Sequence, residues 1–144
     1  MYTAQTTTDP KTIEKIIQLR YDILRKPWDK PIETATDELE NQSMNAYIEH
    51  EGIVIACGRL QNNGNRTGQI RYMAVSDAFQ GKGLGKGILQ KLEQEALAMG
   101  IDTIELQARE NAVEFYKANG YTVKEISFKL WDIIQHYLMV KTIR

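Results

Sequence analysis

The segment from Gly85 to Met99 constrains the fold most. Ile88, Leu89, Leu92, Ala96 and Met99 recur at helical spacing on one face, and Gly100 follows as a C-cap. An apolar strand-like run, Gln69 to Val75, precedes this helix. A second, Thr103 to Ala108, follows it with Ile104 and Leu106 pointing inward. A strand, a helix and a strand over residues 70–108 need a right-handed crossover, which leaves the two strands parallel.

The remaining segments extend that unit. Residues 2–8 alternate weakly and predict an edge strand. Asp9-Pro10 opens a helix, with Asp as N-cap and Pro at the first helical position. Ile13, Ile16, Ile17, Tyr21 and Leu24 form its apolar face, and the helix is expected to stop before Pro27. Residues 27–41 read mostly as an acidic loop with Glu33, Asp37, Glu38 and Glu40. Met44, Ala46 and Ile48 alternate as a half-buried strand. Glu51-Gly52 is a tight turn, and Ile53 to Leu60 is a strand buried on both faces. Residues 61–68 read as a polar turn and Asn111 to Asn119 as a short helix. Thr122 to Lys129 and His136 to Ile143 are the last strands. Hairpins followed by a β-α-β-α unit predict a mixed sheet in an α/β protein, a single domain over 1–144.

Composition narrows the function classes. Of the 144 residues, 42% are hydrophobic and 26% charged, and the formal net charge is −1. That balance lacks the basic excess of a nucleic-acid binder. The single cysteine, Cys57, excludes a disulfide framework and reads as a small buried hydrophobe. With only His50 and His136 available, no metal site is expected. The threonine-rich start is no signal peptide and no run is long enough to span a membrane. The expectation is a cytoplasmic protein that does not engage membranes.

The glycines between strand and helix point to chemistry. Gly81, Gly83, Gly85 and Gly87 alternate through seven residues, although each glycine weakens a helix start by roughly 1 kcal/mol. The first N–H groups of a helix have no partners within it, and the helix dipole is positive there. Glycine lets a ligand approach that backbone, and Lys82 and Lys86 add charge, so the run reads as a phosphate cradle. The nucleotide P-loop does not fit, because Ser76 or Gln80 stands where its first Gly should be. The dinucleotide fingerprint fails as well, since its third Gly position falls on Lys86, Ile88 or Gln90.

Gln80-x-x-Gly83-x-Gly85 does fit the Gln/Arg-x-x-Gly-x-Gly/Ala signature, and so resembles the GNAT superfamily of acyl-CoA-dependent N-acetyltransferases. "IRYMAV" before it is similar to the family's fourth strand. "ARENAVEFYKANGY", Ala108 to Tyr121, is similar to its second signature block. The resemblance covers about residues 68–123. It implies a central, mostly antiparallel sheet with one parallel β-α-β unit, splayed fourth and fifth strands, and helices on both faces.

The resemblance also implies the chemistry. Acetyl-CoA, a cosubstrate, would lie in the cleft between the splayed strands. The backbone of the Met73, Ala74, Val75 stretch would hold the pantetheine arm, chiefly through Met73 and Val75. The amides of Gly81, Lys82, Gly83, Leu84, Gly85 and Lys86 would hold the pyrophosphate beside Gln80, and Asn111 would bond the arm near its reactive end. Tyr116 matches the family tyrosine that protonates the leaving thiolate; its alternative role is packing beneath the pantetheine. Acyl transfer also needs an acceptor for the amine proton, since alkyl amines are mostly protonated at pH 7. Gln69 stands where some members carry a Glu on the fourth strand. The base therefore stays open among Glu105, Glu38, His136 and a water relay. The acceptor would be a small-molecule amine or a protein amino group, drawn by Asp37, Glu38 and Glu40 and walled by Trp28 and Trp131; a solvated acidic loop is the alternative. The last strands could pair across a homodimer. A catalytically idle acyl-CoA sensor and a plain interaction domain are the rival readings.

Overall fold

Asp9 opens the first helix as its N-cap, its carboxylate accepting the Thr12 N–H at 3.0 Å, with Pro10 at the first helical position. Helix α1, Pro10–Arg20, buries Ile16, Leu19 and Arg20. It ends before Pro27, as expected, but the backbone goes on in other helical forms. A π-helical turn, Tyr21–Arg25, continues it, and a 3-10 turn, Lys26–Trp28, takes Pro27 in. The proline is tolerated because the opening of a 3-10 turn needs no N–H from it. The π-turn rotates the chain so that Arg25 faces inward.

The computed structural model describes residues 2–144. Seven strands form one sheet in the order β1-β2-β3-β4-β5-β7-β6. They are β1 (Gln5–Thr7), β2 (Met44–His50), β3 (Ile53–Gly64), β4 (Thr67–Val75), β5 (Thr103–Arg109), β6 (Thr122–Leu130) and β7 (Ile134–Thr142). The expected eight-residue turn at 61–68 shrinks to Asn65 and Arg66, at φ 53° and 60°. A two-residue turn with both φ positive matches the twist of the strands, so their ladder runs almost to the tip. Among the described residues only β4 and β5 pair in parallel, joined by α2 (Leu84–Ala98), as the crossover argument requires.

Helix α2 covers one face of the sheet. Ile88, Leu89, Leu92 and Ala96 pack on Leu60, Ile70, Ile104 and Met139. Met99, expected on that face, lies beyond the helix and is 44% exposed. Helix α3, Val113–Ala118, joins the same core through Tyr116. Helix α1 covers the other face, where Ile16 and Leu19 meet Val54, Cys57 and Ala74. Burying such a side chain contributes roughly 1.5–3 kcal/mol. Burial pushes the Cys57 thiol up to about 11, so it behaves as an inert core residue. Among the described residues no helix is long and apolar enough to cross a membrane.

One irregularity decides where the sheet opens. Cys57 pairs with Ala74 and Arg59 with Arg71, so Gly58 faces both Tyr72 and Met73. This is a β-bulge, and Tyr72 takes φ 58° within it. Two neighbours, Arg71 and Tyr72, thereby share the α1 face of the sheet. The bulge bends β4 away from β5. Their ladder ends at Ile70 and Leu106, while β5 stays with β7 as far as Arg109 and His136. A V-shaped gap results.

Candidate active site

The gap holds two adjoining cavities. The first, of about 540 Å³, runs from β4 to the start of α2. Met73, Ala74 and Val75 form one wall, and Gln80, Gly81, Gly83, Leu84, Gly85 and Lys86 form the end. Lys82 is exposed in the same turn but does not line the cavity. The Ser76 N–H donates to Ile55 O at 2.8 Å, so by antiparallel alternation Val75 turns its own N–H and C=O away from β3. They face the side that β5 has left. Gln80 Nε2 donates to Val75 O and to Asp77 Oδ1, both at 3.3 Å, and so braces the turn.

At the end of this cavity Gly81 and Gly83 take φ 78° and 77°, a region that a Cβ makes costly. Gly83 caps α2 without any side-chain hydrogen bond. The first helical bond runs from the Gly87 N–H to Gly83 O, which leaves the N–H groups of Leu84, Gly85 and Lys86 without a backbone acceptor. Three aligned donors at the positive end of a 15-residue helix suit an anion.

Asn111 also lines this cavity. It is not the helix cap that asparagine often is. A 3-10 turn, Glu110–Ala112, intervenes before α3, and the cap position falls on Ala112.

The second cavity, of about 460 Å³, lies on the α1 side of the gap. Leu24, Met73, Arg109, Ala112 and Tyr116 belong to both walls, so the two spaces meet there. Tyr116 is 7% exposed, and its ring sits edge-on to Phe115 and Tyr121. Burial pushes its phenol well above the ordinary tyrosine range, so it stays a proton donor at neutral pH.

Of the three candidate bases, only His136 reaches the gap. Glu38 is exposed in the loop. Glu105 pairs with Gln69 where the strands are still joined, and accepts from Asn63 Nδ2 at 3.3 Å. His136 is buried, stacked on Phe128 at 4.5 Å, with Nδ1 2.9 Å from Ile134 O. A carbonyl only accepts, so Nδ1 carries the hydrogen and Nε2 keeps its lone pair. Burial lowers the imidazole's pKa and the charges of Arg109 and Arg25 add to this; the bond to Ile134 O opposes them.

The acidic loop does something other than attract an amine. Glu40 accepts from Arg20 at 2.6 and 3.1 Å, from Asn45 at 2.9 Å and from Thr36 at 2.8 Å. Asp37 accepts from Arg59 at 2.8 and 3.0 Å and from Arg71 at 2.7 Å. Both acids are therefore consumed by a buried ion network under β3 and β4. Burial opposes the ionisation of Glu40, but the Arg20, Asn45 and Thr36 donors outweigh it and hold its pKa at about 2. The guanidiniums of Arg20, Arg71, Arg59 and Arg25 gather around the Tyr72 ring, at 4.5, 4.7, 5.0 and 5.6 Å from its centroid. Trp131 stacks under Arg25 and Lys30, at 5.4 and 4.9 Å, while Trp28 is exposed.

Sequence reasoning missed Arg25, Arg109 and Gln107 in the second cavity. Arg109 stands inside the second signature block, and its place at the end of β5, next to the opening, was the one available signal.

Comparison with known proteins agrees with this architecture. Residues 13–121 match the acetyltransferase (GNAT) family. The uncharacterized N-acetyltransferase YjcF of Bacillus subtilis (strain 168) is 29% identical over 123 residues, covering 85% of this chain and 87% of that protein. The fold is similar to an acyl-CoA N-acyltransferase from Pseudomonas aeruginosa, with TM-score 0.83, 20% identity and 99% of each chain covered. It is also similar to an aminoglycoside 6'-N-acetyltransferase complexed with coenzyme A, with TM-score 0.80 and 13% identity, covering 100% of this chain and 97% of the other. With a family match over most of its length and a sheet that opens between its one parallel pair, the chain belongs to the acetyltransferase (GNAT) family.

Proposed function

We propose that the protein transfers an acetyl group from acetyl-CoA to an amine, carried by a small molecule or by a protein. The observation that carries this reading is the meeting of the two cavities at Met73, Arg109 and Tyr116. The donor enters along β4, with its pyrophosphate on the amides of Leu84, Gly85 and Lys86 and its pantetheine arm against the backbone of Met73 and Val75. Asn111 faces the arm near its reactive end. The acceptor amine approaches from the other side.

The neutral amine attacks the thioester carbonyl. A β4 N–H near Met73 to Val75 stabilises the oxyanion, the C–S bond breaks, and Tyr116 protonates the departing thiolate. His136 Nε2, directly or through a water, takes the amine proton. A thiol is a moderate leaving group, so the tyrosine assists without being indispensable.

Coenzyme A release, followed with a thiol reagent across an amine panel, tests this. Tyr116→Phe is expected to lower kcat about 10- to 100-fold while leaving the KM for acetyl-CoA nearly unchanged. Tight binding of acetyl-CoA without release for any amine would favour a sensor instead.

The pH profile tests His136 separately. Its pKa lies below the ordinary 6.5, so it is free to accept a proton at pH 7. Below that lowered pKa, log kcat/KM should fall with a slope of about two, one proton for His136 and one for the amine. In His136→Gln the slope should return to about one; an unchanged profile would remove the histidine from the mechanism.

A further inference from the structure

Two guanidinium groups meet in the wall of the second cavity with no carboxylate between them. Arg25 Nη1 and Arg109 Nη2 both donate to the Leu24 carbonyl oxygen, at 3.2 and 2.9 Å. Arg25 makes one further hydrogen bond, from Nε to Thr34 O at 3.0 Å, rests on the Tyr72 and Trp131 rings, and is 8% exposed. Arg71, paired with Asp37, adds a third cation to the same wall, and among the described residues no Asp or Glu lines it. The carboxylates of the ion network are already taken, Asp37 by Arg59 and Arg71 and Glu40 by Arg20 and Arg59. Glu110 accepts from the Tyr137 hydroxyl.

Like charges held together away from water are costly without a counterion. A guanidinium fork fits carboxylate and phosphate groups with two parallel bonds. Resting on the acetyltransferase reading above, we propose that the acceptor is an amine that also carries an anionic group, a carboxylate or a phosphate, seated on Arg25 and Arg109. Its amine then lies towards Tyr116 and Met73, where the cavities meet. Gln107 Oε1, buried and without a hydrogen-bond donor, belongs to the same wall and accepts an amine N–H.

This arrangement also serves the reaction. Arg71 is paired with Asp37, so Arg25 and Arg109 against one carboxylate leave the cavity positive, which lowers the pKa of a bound ammonium and favours the free amine that attacks. The same field repels polycations. In the balanced step an N–C amide bond forms and the C–S bond breaks. The amine proton goes to His136 and the thiolate receives one from Tyr116.

The test compares acceptors at saturating acetyl-CoA. L-Amino acids are paired with their methyl esters and carboxamides, phosphoethanolamine with ethanolamine, and spermidine represents polycations. An anionic acceptor should exceed its neutral counterpart in kcat/KM by about 10- to 100-fold, the value of a charge-assisted hydrogen-bond pair. The acid and phosphate arms show which anion is used. In Arg109→Gln that ratio should collapse towards one, with Arg109→Lys recovering part of it; Arg25→Gln should act alike if its melting temperature shows that it folds. Equal or better use of esters or spermidine overturns the proposal, as does a ratio indifferent to Arg109→Gln.

Should no amine be acetylated, calorimetry separates the two ideas. N-acetyl amino acids binding about tenfold tighter than their N-acetyl amides, with coenzyme A present, would support the anion site although catalysis failed. No difference between them would overturn it.

Discussion

Replacing Glu40 by alanine should lower the melting temperature by about 10 °C, because breaking a buried ion pair costs roughly 3–5 kcal/mol and each kcal/mol shifts a domain of this size by a few degrees. The side chains of Arg20 and Arg59 are 0% exposed, and Glu40 is 11% exposed between them. Without its carboxylate, Arg20 keeps only Ala35 O and Asn45 Oδ1 as acceptors. Asp37 alone then faces Arg59 and Arg71, and the Tyr72 ring must lie among cations with half their counter-charge gone. Glu40→Gln keeps the shape and some hydrogen bonds, and should cost less.

The pH dependence follows with a definite sign. The folded pKa of Glu40 is held at about 2, below its ordinary 4.5. Its contribution is therefore complete above pH 4.5 and drains away as pH falls from there towards 2, in total about 3 kcal/mol. Urea midpoints measured between pH 7 and pH 2.5 should show this loss in the native protein and a flatter curve in Glu40→Gln. A Glu40→Ala melting temperature within about 2 °C of native would mean that solvent reaches the network freely and screens its charges.

Gly83→Asp should weaken acetyl-CoA binding by at least about 100-fold while leaving the protein folded, since two or more charge-assisted hydrogen bonds are at stake. A Cβ at Gly83 would meet nothing within 4 Å, so no collision disturbs the fold. Aspartate tolerates a left-handed φ better than most residues, so the strain costs only about 1 kcal/mol, and at the head of α2 its carboxylate lies next to the helix's free amides. Those are the amides of Leu84, Gly85 and Lys86, so the new carboxylate competes with the pyrophosphate and repels it. Calorimetry gives the affinity, and a melting curve within a few degrees of native excludes unfolding. Affinity within threefold of native would move the diphosphate away from the head of α2.

The elements legible beforehand share one property: their signals are local. The spacing of Ile88, Leu89, Leu92 and Ala96 demands a helix, the Asp9-Pro10 pair a helix start, and Ile104 with Leu106 a strand, whatever surrounds them. The glycine run was readable for the same reason, because free amides at a helix head attract anions in any fold. The misreadings were local too. The turn at 61–68 looked too polar to continue a ladder, yet strand pairing carried it almost to the tip, and Met99, placed on the apolar face of α2, fell past its end.

The sequence by itself determined the order of the elements, the parallel β-α-β unit and the glycine-rich head of α2. Each of these follows from residue spacing within a few turns or one strand. Only the tertiary structure decided what the charges do. The acids at 37 and 40 turned out to neutralise buried arginines, and Arg25 and Arg109, 84 positions apart in the chain, were brought onto one carbonyl oxygen. A one-residue bulge at Tyr72 set both outcomes, since it puts Arg71 and Tyr72 on the same face and parts β4 from β5. The fate of a charge depends on which partner the fold places within a few ångströms, and residue spacing along the chain does not encode that distance.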